Sequence, residues 1–294
     1  MKKITKEDIR QEVFDLYDDY AHNRLDRREF MEKLSVYAVG GVTVASLLSF
    51  VMPDYNAIQV QPKDPRIKSE FTTYDSPNGG GKINGLLSRP VGTSGRLPGI
   101  VVVHENRGLN PHIQDVGRRA AVAGFITLAP DALTPLGGYP GNDDDGRALQ
   151  SKRDRNEILE DFIAAANHLK AHPDCTGKVG VVGFCFGGWI SNMMAVRIPD
   201  LAAAVPFYGG QPSIDDVPKI NAPLLLHYAG LDARVNAGWL DYETALKANN
   251  KEYTAYIYPE VNHGFYNDTT PRYDRPAAEL AWNRTVEFFN ATLK

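Results

Sequence analysis

From about residue 68 onward, short apolar runs alternate with longer stretches whose apolar residues recur every three to four positions. Residues 71–74 and 83–88 read as two strands joined by the turn Pro77-Asn78-Gly79-Gly80-Gly81. Residues 99–104 (Gly-Ile-Val-Val-Val-His) read as a fully buried strand. A helix over 112–123 and a strand over 125–129 follow, then a long loop rich in Gly, Pro and Asp. Beyond it the pattern predicts a helix over 153–171, a strand over 179–182 and a helix over 188–196. Strands over 202–207 and 224–228, a helix over 237–248, a strand over 254–258 and a helix over 277–293 complete it. Strands alternating with helices imply right-handed crossovers and a mainly parallel sheet covered on both faces.

The first 60 residues are patterned differently. Ile9, Val13, Leu16, Tyr17 and Tyr20 recur at helical spacing, which predicts an amphipathic helix. Arg27, Arg28 and Phe30 then precede a 17-residue run, Val36 to Met52, that carries no charge. Two readings stay open. Paired arginines before an apolar run resemble a twin-arginine export signal, which would make the protein periplasmic. The other reading is a helical arm of a cytoplasmic protein, packed on the body or joining copies into a homo-oligomer. Several features favour the arm. Residues 1–33 hold eight basic and nine acidic side chains, so the leading stretch is acidic by one. The nearest cleavage-like triplet is the weak Tyr55-Asn56-Ala57. The run is also short against the roughly 20 residues of a membrane span. Pro53, Pro62 and Pro65 mark a linker. The expected organisation is residues 1–60 as helical segment and linker, lying outside the core of a domain formed by residues 61–294.

Composition narrows the function. At 43% hydrophobic and 23% charged, the 294 residues can build a core without disulfides. The two cysteines, Cys175 and Cys185, are too few for a disulfide framework and lack C-x-x-C spacing. A net charge of −4 gives no nucleic-acid footprint.

In a sheet of this kind chemistry sits at the carboxyl ends of the strands. Gly183-Phe184-Cys185-Phe186-Gly187-Gly188 follows the strand at 179–182 and opens a helix. It has the G-x-S-x-G pattern with Cys for Ser; in the elbow of an α/β-hydrolase, glycines two before and two after the nucleophile permit the tight turn. A helix N-terminus favours a thiolate there. By itself the segment could also be a Gly-rich turn around an inert buried cysteine. An α/β-hydrolase then requires an acid and a histidine, in that order, after later strands. Asp232 follows the strand at 224–228, and His263 follows the strand at 254–258. Singly, each could be an ordinary loop residue; together, in order, they predict a triad of Cys185, His263 and Asp232. The loop after the strand at 99–104 supplies Glu105, Asn106 and Arg107. The backbone N–H groups of Asn106 and Phe186 are the candidate oxyanion hole.

These residues resemble the dienelactone hydrolase family. Glu105 after its strand, the Cys185 elbow, Asp232 in Ala-Gly-Leu-Asp, His263 in Asn-His-Gly-Phe and Pro130-Asp131 carry the likeness over residues 68–294. The resemblance implies an α/β-hydrolase fold and ester or lactone hydrolysis through a thioester acyl-enzyme. It implies that Glu105 holds the resting thiol and releases it as thiolate. It also implies carboxylate-binding arginines, one of them four residues after the catalytic histidine. Asn267 stands there instead, with Arg147, Arg153 and Arg155 as candidates for another. Arg107 and Asn267 are accordingly candidate substrate contacts, and neutral esters are expected to be cleaved at least as well as anionic ones. No cofactor or metal is expected: His104 and His227 read as strand-end packing, and Asp143-Asp144-Asp145 as a solvated loop. A thioesterase or amidase would use the same triad. A non-catalytic binding module on this fold is the alternative from another class, and turnover of a generic ester would separate the two.

Overall fold

The computed structural model describes residue 5 and residues 8–294. One sheet of eight strands organises the chain: β1 (Ile67–Ser76), β2 (Gly81–Pro90), β3 (Leu97–Val103), β4 (Ile126–Pro130), β5 (Cys175–Phe184), β6 (Ala203–Phe207), β7 (Leu224–Ala229) and β8 (Tyr253–Tyr258). Their spatial order is β1-β2-β4-β3-β5-β6-β7-β8. The β1–β2 hairpin joins the edge antiparallel, and β4 through β8 run parallel. This is the α/β-hydrolase fold. β1 is ten residues long, well beyond the apolar run at 71–74, because much of this edge strand faces solvent and carries polar side chains.

Alternation along the buried strands sends side chains to two apolar layers. Val101 and Val103 of β3, with Val179 and Val181 of β5, enter one layer; Ile100, Val102, Val182 and Phe184 enter the other. To keep the helix numbering in chain order, the N-terminal helices are α1 (Gln11–Ala21), α2 (Arg27–Ser35) and α3 (Val44–Val51). The helices of the body are α4 (Pro111–Val122), α5 (Asp143–Gln150), α6 (Arg155–Lys170), α7 (Phe186–Arg197), α8 (Ala233–Asn236), α9 (Trp239–Ala248) and α10 (Arg275–Leu293). α6, α7 and α9 cover the first layer, and α4 and α10 the second.

α5 lies where a long loop was expected. Asn142 caps it, accepting from Asp145 N at 2.9 Å, and the three consecutive aspartates form its first turn. That position favours them, because a helix N-terminus carries partial positive charge. They are not a solvated loop: Asp143 is buried against Arg107 at 2.7 Å, and Asp144 bonds the Tyr20 hydroxyl at 2.7 Å.

The uncharged run 36–52 yields only the eight-residue α3. Gly40 and Gly41, at φ +63° and +87°, break it before that helix begins. Among the described residues no helix is long and apolar enough to cross a membrane. α1 to α3 share an apolar cluster of Val13, Tyr17, Tyr20, Phe30, Leu34, Leu47 and Val51. They do not stand clear of the body. α1 lies over the carboxyl ends of the strands. Asn106 donates to Ala21 O at 2.6 Å, Arg147 donates to Tyr20 O, and Gln11 bonds Asn262.

Candidate active site

Cys185 sits between β5 and α7 with φ +57° and ψ −112°, a strained conformation for a residue with a side chain. The glycines on either side are obligatory. A Cβ on Gly187 would lie 2.5 Å from Val103 O, and one on Gly183 would collide with Gly187 O. The turn thus lifts the thiol above the sheet at the N-terminus of α7.

The structure brings the other two expected residues to it. His263 Nδ1 donates to Asp232 Oδ2 at 2.5 Å, and both side chains are buried. His263 Nε2 is buried and makes no close hydrogen bond among the described residues. Burial depresses the His263 imidazole, but Asp232, Asp18 and Cys185 outweigh it and bring its pKa up to about 10. Burial pushes the Cys185 thiol up, yet His22 and then His263 outweigh that and hold it at about 5. A ring nitrogen of His22, one of His263 and the Cys185 sulfur all lie within 4.8 Å of one another.

The other expected residues are engaged differently. Glu105 does not bond the thiol; it accepts from Asn267 Nδ2 at 3.2 Å and lies 3.7 Å from Arg107 Nε. Asn267 is 1% exposed and Arg107 3%, and Arg107 is also paired with Asp143. Neither expected substrate contact is therefore open to a ligand: each neutralises or orders a buried acid, which the deep burial of Glu105 demands. His104 is fixed at the end of β3 by Glu105 O and Ala132 N; His227 lies within β7 rather than at its end, held by Thr285 and Tyr258. Asp131 accepts from three backbone N–H groups and holds its loop.

His22 and Asp18 were not among the residues singled out from the sequence. His22 Nε2 lies 3.1 Å from Cys185 Sγ. The i,i+4 spacing of an acid and a histidine on the amphipathic helix was the available signal, and it is a weak one.

Two cavities flank the arm. One, of about 260 Å³, is lined by Asp18, Asp232, Arg234, Asn262 and His263 among others. The other, of about 170 Å³, is lined by Asn23, Asn106, Arg155 and Phe186 among others. A larger cavity, about 670 Å³ between α4 and α10, contains none of the candidate catalytic residues.

The family model for the dienelactone hydrolase family matches residues 83–293. The chain belongs to that family. A dienelactone hydrolase from Klebsiella pneumoniae subsp. pneumoniae MGH 78578 superposes with a TM-score of 0.67 at 28% identity, over 76% of this chain and 99% of its own. A carboxymethylenebutenolidase of Escherichia coli (strain K12) is 31% identical over 78% of this chain and 89% of its own length. The hydrolase fragment YghX of the same strain is 54% identical over 38% of this chain and 97% of its own. All three of those names are provisional. A second model, YqhI-like, matches residues 1–40, so the arm of this dienelactone hydrolase family member has relatives of its own.

Proposed function

We propose that the chain hydrolyses an ester or lactone of a small molecule, with Cys185 as nucleophile, His263 as proton carrier and Asp232 as its orienter. The thiolate attacks the carbonyl carbon, and the carbonyl π pair moves to oxygen, facing the backbone N–H groups of Asn106 and Phe186. Collapse breaks the C–O bond, and the leaving alkoxide takes the proton from His263. Water then attacks the thioester, gives a proton to His263 and restores the thiolate. The observation that carries this reading is the buried grouping of the Cys185 thiol, held at about 5, an imidazole nitrogen of His263 within 4.8 Å of it, and the Asp232 carboxylate on His263 Nδ1. The carboxymethylenebutenolidase and dienelactone hydrolase names of the relatives support a lactone or ester over an amide.

Cys185→Ala tests it. Turnover of p-nitrophenyl acetate should fall by about 10³ or more with unchanged folding, because triad members act as a unit. Undiminished kcat in that variant would overturn the proposal.

A further inference from the structure

Cys185 has a second imidazole beside it, supplied by the N-terminal arm. His22, the residue that ends α1, places Nε2 3.1 Å from the sulfur. Its Nδ1 lies 2.7 Å from Asp18 O and 3.3 Å from the Asp18 carboxylate. Asp18 is held in turn by Arg24 at 2.9 Å and Arg272 at 3.2 Å. The rings of His22 and His263 meet edge to face, 4.9 Å apart. The sulfur therefore faces two imidazoles, each with a carboxylate behind it: Asp232–His263 from the body and Asp18–His22 from the arm.

The arm's seat is built rather than incidental. Tyr20 bonds Asp144 at 2.7 Å and lies under the Arg147 guanidinium, 4.2 Å from its ring centre. Gln11 grips Asn262, the residue before His263. Glu105, meanwhile, is turned away to Asn267 and Arg107.

We infer that Asp18 and His22 are a second Asp–His dyad of the reaction, with His22 the imidazolium that keeps Cys185 a thiolate between turnovers. This rests on Cys185 being the nucleophile. In a single triad one imidazolium must both balance the thiolate and protonate the leaving group. Here the duties separate. His263 gives its proton to the alkoxide and recovers one from water, while His22 keeps its proton throughout and only balances charge. His22 is buried, which disfavours its charge, but Cys185 and Asp18 outweigh that and raise its pKa. Among the described residues, the other charged or titratable groups around this centre include Arg234, 3.4 Å from both histidines, with Arg24, Arg272, Asp15, Asp19, Glu105 and Tyr208.

The test is His22→Gln in the full chain, read by the pH dependence of Cys185 alkylation by iodoacetamide and of kcat/KM. In the unmodified protein alkylation should rise through about pH 5. In His22→Gln that midpoint should move up by a unit or more, lowering alkylation and kcat/KM on the acid limb by about tenfold or more. Asp18→Asn should move it in the same direction by less. An unmoved midpoint would overturn the inference, as would a variant that turns over faster with its midpoint unchanged, since the arm would then be a plug. If His22→Gln does not fold, the unmodified protein decides. Alkylating Cys185 should lower the imidazole pKa of His22 by NMR, and no change would refute the pairing. Cys185→Ala separates the two proposals. Full activity there would remove the nucleophile itself; an inactive Cys185→Ala beside an unshifted His22→Gln would remove only the second dyad.

Discussion

Cys185 is charged where burial alone would keep it neutral, and His263 holds its proton far above the ordinary range of a histidine. The proposed reaction needs both charges, so kcat/KM should form a broad plateau. It should fall below about pH 5, where the sulfur takes up a proton, and above about pH 10, where His263 loses its own. A rate that keeps rising through pH 9, as an ordinary thiol would give, would contradict this. At this scale the sequence was legible where a residue's place follows from a strand end. Cys185, Asp232 and His263 each lie within five residues of the end of their strand, so counting elements located them. Glu105, Arg107 and Asn267 were located equally well, but their partners were not. Which buried acid an amide or guanidinium meets depends on packing between distant loops, and Arg107 meets Asp143 only because α5 forms.

Helices α1 and α5 account for most of what the pattern of residues left hidden. α5 has three aspartates, a glycine and an arginine in its first five residues, which read as loop until Asn142 and the helix dipole are counted. α1 was legible as a helix but not as a wall of the site, since amphipathicity says that a face is buried and not against what. α5 and α6 also decide which arginines are available. Arg147 is spent on Asp144 and Arg153 on Asp161. Arg155, at the start of α6, stacks 3.3 Å over Trp189 and lines the 170 Å³ cavity beside Asn106 and Phe186. Among the described residues no carboxylate is seen to act on it: burial lowers its pKa and nothing offsets that. A substrate carboxylate there would gain a charge-assisted contact of about 1.5–3 kcal/mol. Arg155→Ala should therefore cost an anionic lactone roughly ten- to a hundredfold in kcat/KM and spare its neutral analogue. This reverses the preference for neutral esters expected from Asn267, and equal losses on a matched pair would restore that expectation.

The charged centre shows in the stability of the whole molecule. Cys185 has a folded pKa of about 5 against an ordinary 9.0, so its contribution is full above pH 9 and is lost as pH falls towards 5. His263 has a folded pKa of about 10 against 6.5, so its contribution is full below pH 6.5 and is lost as pH rises through 10. Between pH 6.5 and 9 the two slopes oppose each other. The urea midpoint should climb from pH 5 to 6.5, stay level to about 9 and then decline. Cys185→Ala should abolish the climb; a midpoint that climbs just as steeply without the thiol would refute the assignment.

The clasp between the arm and the far end of the chain also has a consequence in time. Gln11 and Asn262 are 251 positions apart, and Asp18 and Arg272 are 254. Synthesis runs from the N-terminus, and domains fold as they emerge. α1 therefore leaves the ribosome long before the loop it fastens, while the elbow around Cys185 can form in between. Asn106, Asp144 and Arg147 can seat His22 first, whereas the sulfur lacks His263 until residue 263 is out and Asp18 lacks Arg272 until residue 272 is out. The order of synthesis would thus bring the two imidazoles to the sulfur in turn, the arm's first and the body's last.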